Sequence, residues 1–322
     1  MSQPTVSILM PTFNPDPAFL RAAVASAQSQ SYPYWTLLIH DDASDTDVRS
    51  LVEPFLRDTR IRFVRSERRL GIGGNWNACL TSVEGAFVQF LFQDDLWYRE
   101  YLEKNVSIFR GHASVGLVSS FHTYKAEGKD AETFLTEGGF ERVQEERRSR
   151  MRAGNGKAFL MRWAEEGLWP NLIGEPSFVM LRLSLVKRVG TFRQDMRQGL
   201  DLEYWVRCLL HTDIEVLRES LGIFRVHAGG ASMRNDRSGE GLFDRLRCFD
   251  VLLSLLSDST ERRRIEQALQ AQVDLLALKF RKRFDDGKRG VGGSSASEAL
   301  RFFAKHPILL FRALGAAMFT KK

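Results

Sequence analysis

The chain has 322 residues, 43% of them hydrophobic, which is enough for a buried core in one large domain or two smaller ones. Its three cysteines are odd in number and lack CxxC spacing, which argues against disulfides or structural zinc and favours a reducing, cytoplasmic setting. The formal charge of +6 is concentrated in residues 259–322, where 14 Lys and Arg accompany 6 Asp and Glu. This asymmetry argues against a nucleic-acid-binding protein, in which positive charge would cover the folded face that meets phosphate.

The N-terminal segment lacks the basic region and long apolar core of a signal peptide, so none is expected. Apolar runs then alternate with amphipathic runs, which is typical of βα units and a mainly parallel sheet flanked by helices. Asp16 is predicted to cap the first helix, with Pro17 at its first position, and Pro54 is predicted to shorten the second. Strands are predicted at residues 6–10, 36–40, 61–65, 86–92 and 115–120.

The pattern loosens after residue 120. Residues 125–156 are mixed in charge and weakly periodic, which predicts a mobile loop or insertion. Further on, the sequence predicts a helix at 157–166, a helix starting near Asp201, and strands at 178–182, 214–217 and 222–227. We expect an α/β domain over residues 1–240 and a basic helical extension over residues 241–322.

The extension has two interpretations. Apolar residues recur at helical spacing among Lys and Arg from residue 265 to 280, and "PILLFRALGAAMF" (307–319) is too short to cross a bilayer. These helices either dock on the preceding domain or lie on an anionic membrane surface. The second interpretation predicts a cytoplasmic protein with peripheral contact on the inner face of the membrane.

Polar clusters follow three of the predicted strands: "PTFN" (11–14), "DDASD" (41–45) and "QDD" (93–95). Ligands of open α/β sheets bind beyond the carboxyl ends of the strands. Asp94 and Asp95 end an apolar strand without a neighbouring Lys or Arg, so a cation or solvent must offset the cost of burying their charge. The pair therefore either binds Mg²⁺ or Mn²⁺ or caps the helix that follows.

Six segments occur along the chain in the following order: "VSILMPTFN", "LLIHDDASD", "GIGGNWNACL", "VEGAFVQFLFQDDLWY", "RQGLDLEYW" and "FRVHAGGAS". Together they resemble family 2 glycosyltransferases of the GT-A fold, a Rossmann-like α/β fold, across residues 5–232. The resemblance implies a metal-dependent, inverting enzyme that moves a sugar from a nucleotide diphosphate sugar to a hydroxyl acceptor. It also implies a saccharide or lipid-linked acceptor in surface polysaccharide synthesis.

The resemblance assigns roles to residues near the donor. Asp42 would bind the nucleobase, and Thr12 and Asn14 would lie beside the base and ribose. Asp95 would contact the divalent cation, whereas Asp94 would contact the sugar or ribose. Because Gln93 replaces the acid that many members carry, a site with a single carboxylate is expected.

Transfer to a hydroxyl also requires a base that removes its proton. The resemblance gives this role to Asp201, with Glu203 as the fallback because Leu200 stands where a second acid is usual. Taken by itself, Asp201 is equally well explained as a helix cap. His227 matches a position near the diphosphate and metal, where a neutral imidazole can be a ligand; otherwise it is an ordinary surface or core histidine.

Several further residues keep two interpretations. The glycines of "GIGGNWN" fit neither a P-loop nor a dinucleotide fingerprint, so turn formation explains them best. Asn75 and Asn77 either face the nucleotide sugar or cap a helix, and Trp97 and Tyr98 either stack on a sugar or pack at a strand end. The turn at 169–175 and the 125–156 segment are predicted to shape acceptor choice.

Two other functions compete with transfer. Sugar-phosphate nucleotidyltransferases carry a Gly- and Arg-rich signature after the first strand. This chain has "PTFNPD" at that place, which argues against this class of enzyme. A nucleotide-sugar-binding or scaffolding relative without turnover is the alternative, because Gln93 and Leu200 stand where acids are usual.

Overall fold

The computed structural model describes residues 5–196, 198–238 and 243–285, together with residues 304 and 307. Within these residues the strands are β1 Val6–Thr12, β2 Trp35–Asp41, β3 Ile61–Arg65, β4 Phe87–Phe90, β5 Leu96–Trp97, β6 Val115–Glu127, β7 Gly154–Asn155, β8 Val179–Arg182 and β9 Asp213–His227. They form one sheet in the order β3-β2-β1-β4-β8-β6-β9-β5, with β7 also paired to β9.

The helices flank this sheet. They are α1 Pro17–Gln28, α2 Val48–Val52, α3 Ile72–Leu80, α4 Tyr101–Gly111, α5 Lys129–Glu137, α6 Phe140–Arg150, α7 Gly156–Glu165, α8 Leu183–Val189, α9 Leu200–Leu209, α10 Ala231–Ser238, α11 Asp244–Leu255 and α12 Ser259–Asp285. Asp16 caps α1 as predicted, because its carboxylate accepts hydrogen bonds from the amides of Ala18 and Phe19. Pro54 lies in a 3₁₀ turn that follows a short α2, also as predicted.

The sheet is parallel in its first half and mixed overall. β1 lies between β2 and β4 and runs parallel to both, so the strand order reverses at β1. The carboxyl ends of these three strands therefore meet at one edge, where a doubly wound sheet binds ligands. β8 then pairs antiparallel with both β4 and β6, which makes the second half mixed.

The long strand β9 brings the second half of the chain to this edge. Predicted strands 214–217 and 222–227 are one strand, which pairs in parallel with β6 and shifts register near Phe121. β5 pairs antiparallel with β9, with Leu96 opposite Ile223. This register places the residues before Leu96 beside the end of β9, so Asp94 and His227 meet.

The prediction of a loop at 125–156 was wrong. β6 continues to Glu127, and α5, α6 and β7 fill the remainder. α6 is hard to recognise because the residues it buries are polar: Arg147 and Gln144. The Arg147 guanidinium donates to the carbonyls of Leu172 and Ile173, so its burial is satisfied by hydrogen bonds rather than apolar packing.

The described part of the C-terminal extension docks on the α/β domain, the first of the two interpretations. α11 and α12 contribute Leu246, Phe249, Ile265 and Leu269 to the hydrophobic core that also holds Trp205 of α9. No helix within the described ranges is long and apolar enough to cross a membrane. The segment 307–319 lies outside the described residues apart from Pro307, and the boundary at residue 240 also falls outside them and stays a prediction.

Candidate active site

A cavity of about 160 Å³ lies at the carboxyl edge of the sheet. It brings together three residues that the sequence singled out, Asp94, Asp201 and His227. A fourth polar residue, Glu175, also lines it. Aromatic side chains of Trp76, Phe92 and Phe224 and the first residues of α10 complete the wall. The cavity thus combines titratable groups from four separate parts of the chain.

Asp94 and His227 form a pair at one side of the cavity. The Asp94 Oδ2 lies 2.9 Å from the His227 Nε2, and the two side chains are 22% and 16% exposed. Arg225 donates to the backbone carbonyl of Asp94, and Phe19 packs edge-on against the imidazole at 5.2 Å. The pair is therefore held from several directions while it still faces the cavity.

Asp95 occupies a different environment from Asp94. Its side chain is fully buried, it is not among the described residues that line the cavity, and its Oδ1 accepts from the Arg225 amide at 3.2 Å. Burial and the charge of Asp94 raise the pKa of Asp95 well above its ordinary value. The metal contact of Asp95 stays a prediction. Of the two adjacent carboxylates, that of Asp94 is the more exposed.

The Asp94–His227 pair suits a divalent cation. Within the described residues, no group of three or more Asp, Glu, His or Cys side chains could enclose a metal. However, Mg²⁺ and Mn²⁺ in nucleotide sites are commonly held by one or two protein ligands, with phosphate oxygens completing the shell. One carboxylate oxygen and one imidazole nitrogen, adjacent and facing a cavity, provide such a partial ligand set.

Asp201 lies in the first turn of α9 on another part of the cavity wall. Its Oδ2 accepts from Asn171 Nδ2 at 2.9 Å. Burial, assisted by the charge of Glu175, raises the pKa of Asp201 to about 7, although the amide of Leu202 opposes this shift. A carboxylate with this pKa is divided between acid and base near neutral pH, as general-base catalysis requires.

Asp201 is not the N-cap residue of α9 but the second residue of the helix. The residue before the first turn of α9 is Gly199, and the carboxylate of Asp244 accepts from the amides of Gln198 and Gly199 at 2.9 and 3.0 Å. Asp244 thus fixes the backbone just before α9, whereas the Asp201 side chain lines the cavity.

Glu203 does not face the cavity. Its buried carboxylate forms a bidentate ion pair with Arg207 of the same helix, with nitrogen–oxygen distances of 2.7 and 2.8 Å. Its pairing within α9 makes it unsuited to accept a substrate proton, in contrast to Asp201.

Glu175 is a site residue that the sequence interpretation missed. It accepts from the Tyr124 hydroxyl at 3.2 Å and lies 3.4 Å from the buried His122 ring. Burial favours its neutral form, but His122 and the Arg147 guanidinium outweigh that effect, so the pKa of Glu175 is lowered. The available signal was an acid next to Pro176 at the start of an apolar strand, a weak pattern.

The residues assigned to the nucleotide form a second cluster at the ends of β1 and β2. Both carboxylate oxygens of Asp42 accept backbone amides, from Leu70 at 2.6 Å and Gly71 at 2.9 Å. Asn75 donates to the carbonyl of Thr12. None of these lines the cavity described above, and Asp42 fixes the turn before α3.

Asn14 and Gln93 stabilise the loop after β1. Asn14 exchanges two hydrogen bonds with Asp45, both at 2.8 Å, and adopts a positive φ of 44°. The Gln93 amide group pairs with the backbone N–H and C=O of Phe13. A carboxylate at position 93 could not donate to the carbonyl, so the glutamine suits this contact better than the acid it replaces.

Asn77, the glycines and Trp97 have structural roles here. The Asn77 side chain bonds both backbone groups of Phe192, and the Trp97 indole is buried and donates to the Ser177 carbonyl. Gly71 has a φ of 79°, and a Cβ at Gly74 would lie 2.8 Å from Leu70. The turn interpretation of the glycines fits these contacts.

The model of glycosyl transferase family 2 matches residues 7–163. The first half of the chain therefore resembles this family. The matched segment contains β1 to α6 and therefore the Asp94 side of the cavity, whereas Asp201 and His227 follow it.

Two relatives resemble this chain over part of their length. UDP-Glc:alpha-D-GlcNAc-diphosphoundecaprenol beta-1,3-glucosyltransferase WfgD of Escherichia coli is 36% identical over 103 residues, 32% of this chain and 40% of that protein. GalNAc(5)-diNAcBac-PP-undecaprenol beta-1,3-glucosyltransferase of Campylobacter jejuni is 30% identical over 213 residues, 60% of this chain and 66% of that protein. The chain thus spans less than two thirds of either relative.

Solved structures of low sequence identity share the fold of this chain. S. aureus TarS 1-349 in complex with UDP-GlcNAc has a TM-score of 0.62 at 16% identity, covering 84% of this chain and 72% of that one. The mannosyltransferase PcManGT from Pyrobaculum calidifontis, in complex with GDP-Man and Mn²⁺, has a TM-score of 0.55 at 17% identity, covering 100% and 89%. The predicted GT-A fold is confirmed by this likeness.

Proposed function

We propose that this protein is an inverting glycosyltransferase that transfers a sugar from a nucleotide diphosphate sugar to a hydroxyl group. One observation carries the proposal: Asp201, with a pKa of about 7, lines the same cavity as the Asp94–His227 pair. Direct displacement needs a base on one side of the reacting carbon and a stabilised leaving group on the other. One cavity with both elements suits that chemistry.

In this mechanism Asp201 removes the proton of the acceptor hydroxyl. The hydroxyl oxygen bonds to the anomeric carbon as the bond from that carbon to the diphosphate breaks, and the diphosphate departs with the electron pair. Attack opposite the leaving group inverts the anomeric configuration. Asn171, which donates to Asp201 Oδ2, holds the carboxylate in the orientation that proton transfer requires.

We propose that Asp94 and His227, rather than Asp95, hold a Mg²⁺ or Mn²⁺ ion. The bound cation would stabilise the negative charge of the departing diphosphate. Support comes from the 2.9 Å contact between the two side chains and from the Mn²⁺ of the PcManGT complex. Asp95 would instead anchor the end of β9 through the Arg225 amide.

The polar cluster at β1 and β2 is the proposed nucleotide side of the site. Thr12, Asn14, Asp42 and Asn75 would shape the wall that meets the base and ribose. Because the Asp42 carboxylate already accepts two amides, its contribution includes holding the loop before α3 in place. Replacing it would therefore weaken both the loop and the nucleotide contact.

The donor is proposed to be a UDP-sugar, and the acceptor a saccharide or lipid-linked saccharide. WfgD is named for a UDP-Glc donor and a diphosphoundecaprenol acceptor, and the TarS structure contains UDP-GlcNAc. The basic C-terminal residues 259–322 are consistent with peripheral contact at the inner face of a membrane that carries such an acceptor.

Thermal shift and hydrolysis of UDP-glucose, UDP-N-acetylglucosamine and GDP-mannose test this function. With Mn²⁺ present, at least one UDP-sugar should raise the melting temperature and be slowly hydrolysed, with water replacing the acceptor. Binding without hydrolysis or transfer would support the scaffolding alternative. No binding of any of the three donors would contradict the proposed donor class.

A further inference from the structure

Trp169 is the most exposed large apolar side chain among the described residues, at 56%. Its backbone is nevertheless fixed, since its carbonyl accepts from Arg150 at 3.2 Å and the next carbonyl, of Pro170, accepts from the buried Trp163 indole at 2.9 Å. A single exposed apolar residue is common and carries little by itself. The exposed Trp169 indole suggests a binding surface only when it is considered together with the charged side chain beside it.

That neighbour is Arg245 of α11, whose guanidinium carbon lies 5.7 Å from the centre of the Trp169 ring. Arg245 is half-buried, and the described residues provide it with neither an ion pair nor a hydrogen bond. Arg247 on the same helix differs, because it pairs with Asp195 and Asp244. Burial without a carboxylate lowers the pKa of Arg245, although a guanidinium stays protonated.

Both residues lie in segments that contact residues at the Asp201 end of the cavity. Trp169 precedes by two residues Asn171, which donates to Asp201. Arg245 directly follows Asp244, whose carboxylate holds the amides of Gln198 and Gly199 just before Asp201. Trp169 and Arg245 therefore belong to two segments that contact the Asp201 part of the cavity wall.

This position separates them from the proposed donor side. The Asp94–His227 pair is held by β5 and β9, whereas Trp169 and Arg245 belong to the loop after α7 and to α11. The acceptor must reach Asp201 from the side that the donor does not occupy. A ligand-binding surface on that side of Asp201 would therefore bind the acceptor.

We propose that Trp169 and Arg245 form an acceptor subsite for an anionic saccharide. The indole packs against the apolar face of a sugar ring, and the guanidinium binds a phosphate or carboxylate attached to that sugar. The inference rests on the proposed function and deepens it by naming the acceptor class. A phosphate would be supplied by a lipid diphosphate linkage, and a carboxylate by an acidic sugar.

Ligand-observed NMR titrations on the full chain test the subsite. The protein is first saturated with UDP and Mn²⁺ and is then titrated with N-acetylglucosamine 1-phosphate, with glucuronic acid and with neutral N-acetylglucosamine. At least one anionic probe should bind about tenfold more tightly than the neutral sugar. Preference for the phosphate indicates the lipid-linked source, and preference for glucuronic acid indicates the acidic sugar.

Variants assign the binding to the two side chains. Arg245→Gln should reduce the affinity of the anionic probe about tenfold, to that of the neutral sugar, while Arg245→Lys should keep part of the preference. Trp169→Ala should weaken all probes by similar factors. Arg162→Gln and Tyr34→Ala, an exposed arginine and an exposed aromatic residue elsewhere, should change nothing.

Unchanged UDP affinity in each variant verifies folding and separates this inference from the proposed function. If UDP does not bind the wild type, the proposed function fails first. The subsite is refuted if UDP binds but no probe does, if the neutral sugar binds as well as the anionic probes, or if the probes displace UDP. Wild-type probe affinity in Arg245→Gln or in Trp169→Ala would equally refute it.

Discussion

Replacing Asp201 by Asn is expected to lower kcat by about 10²–10⁴-fold, the usual contribution of a general base. The amide keeps the shape of the carboxylate and can still accept from Asn171, but it cannot take a proton at neutral pH. The measurement is turnover of the UDP-sugar that binds, with UDP affinity recorded separately. UDP affinity should stay within a few-fold of wild type, because Asp201 is proposed to contact the acceptor hydroxyl rather than UDP.

The same variant should be more stable than wild type. The pKa of Asp201 rises from 3.8 to about 7 on folding, so the folded state holds a proton that the unfolded chain loses between these values. Stability is therefore lost as pH rises through this window, and Asn removes that loss. At pH 8 we expect a gain on the order of 2 kcal/mol in urea unfolding.

Glu203→Gln is the matched control, because it neutralises the carboxylate two residues away. It should retain kcat but lose stability, since the buried guanidinium of Arg207 loses its ionised partner. Normal turnover in Asp201→Asn combined with lost turnover in Glu203→Gln would transfer the base to Glu203 and contradict the proposed mechanism.

Removing either member of the Asp94–His227 pair is expected to abolish the effect of Mn²⁺. In Asp94→Asn or His227→Ala, the cation should no longer strengthen UDP binding, a loss of about 100-fold in affinity and at least as much in kcat. Calorimetric titration of UDP with and without Mn²⁺ measures this effect directly. The Mn²⁺ effect should be lost because each variant keeps only one of the two proposed protein ligands of the cation.

Asp95→Asn distinguishes the two adjacent acids. Because burial raises the pKa of Asp95, the neutral amide should be tolerated, with Mn²⁺-dependent UDP affinity within a few-fold of wild type. Loss of the Mn²⁺ effect in Asp95→Asn, with Asp94→Asn unaffected, would restore the sequence-based assignment of the metal to Asp95.

The sequence predicted the parallel half of the sheet well, as well as the polar clusters at the carboxyl ends of its strands. Those predictions depend on local signals: apolar strands, the Asp16 cap and polar clusters at strand ends. These signals depend on residues that are close together in the sequence, so they can be recognised without knowledge of tertiary contacts.

The choice between Asp94 and Asp95 could not be made in the same way. Only one of these two adjacent side chains, that of Asp94, lines the cavity, whereas Asp95 is fully buried. Which one does so depends on the pairing of β5 with β9, whose partners are more than 120 residues apart in the chain. Likewise, the backbone just before α9 is fixed by Asp244, which lies 46 residues beyond Gln198 in the chain.

Polar burial explains the other errors. Residues 125–156 contain α6, whose buried Arg147 and Gln144 break the apolar periodicity by which an amphipathic helix is recognised. Glu175 was missed because its role depends on contacts with Tyr124 and His122 from β6. No pattern of neighbouring residue types encodes those contacts.

The pH dependence of turnover tests the role of Asp201 most directly. For the UDP-sugar that binds, kcat/KM should fall about tenfold for each pH unit below about 7 in wild type, because only ionised Asp201 can accept the proton. In Asp201→Asn the residual rate should be flat over the same range. A wild-type profile without an inflection between pH 6 and 8, or an unchanged inflection in Asp201→Asn, would contradict the account.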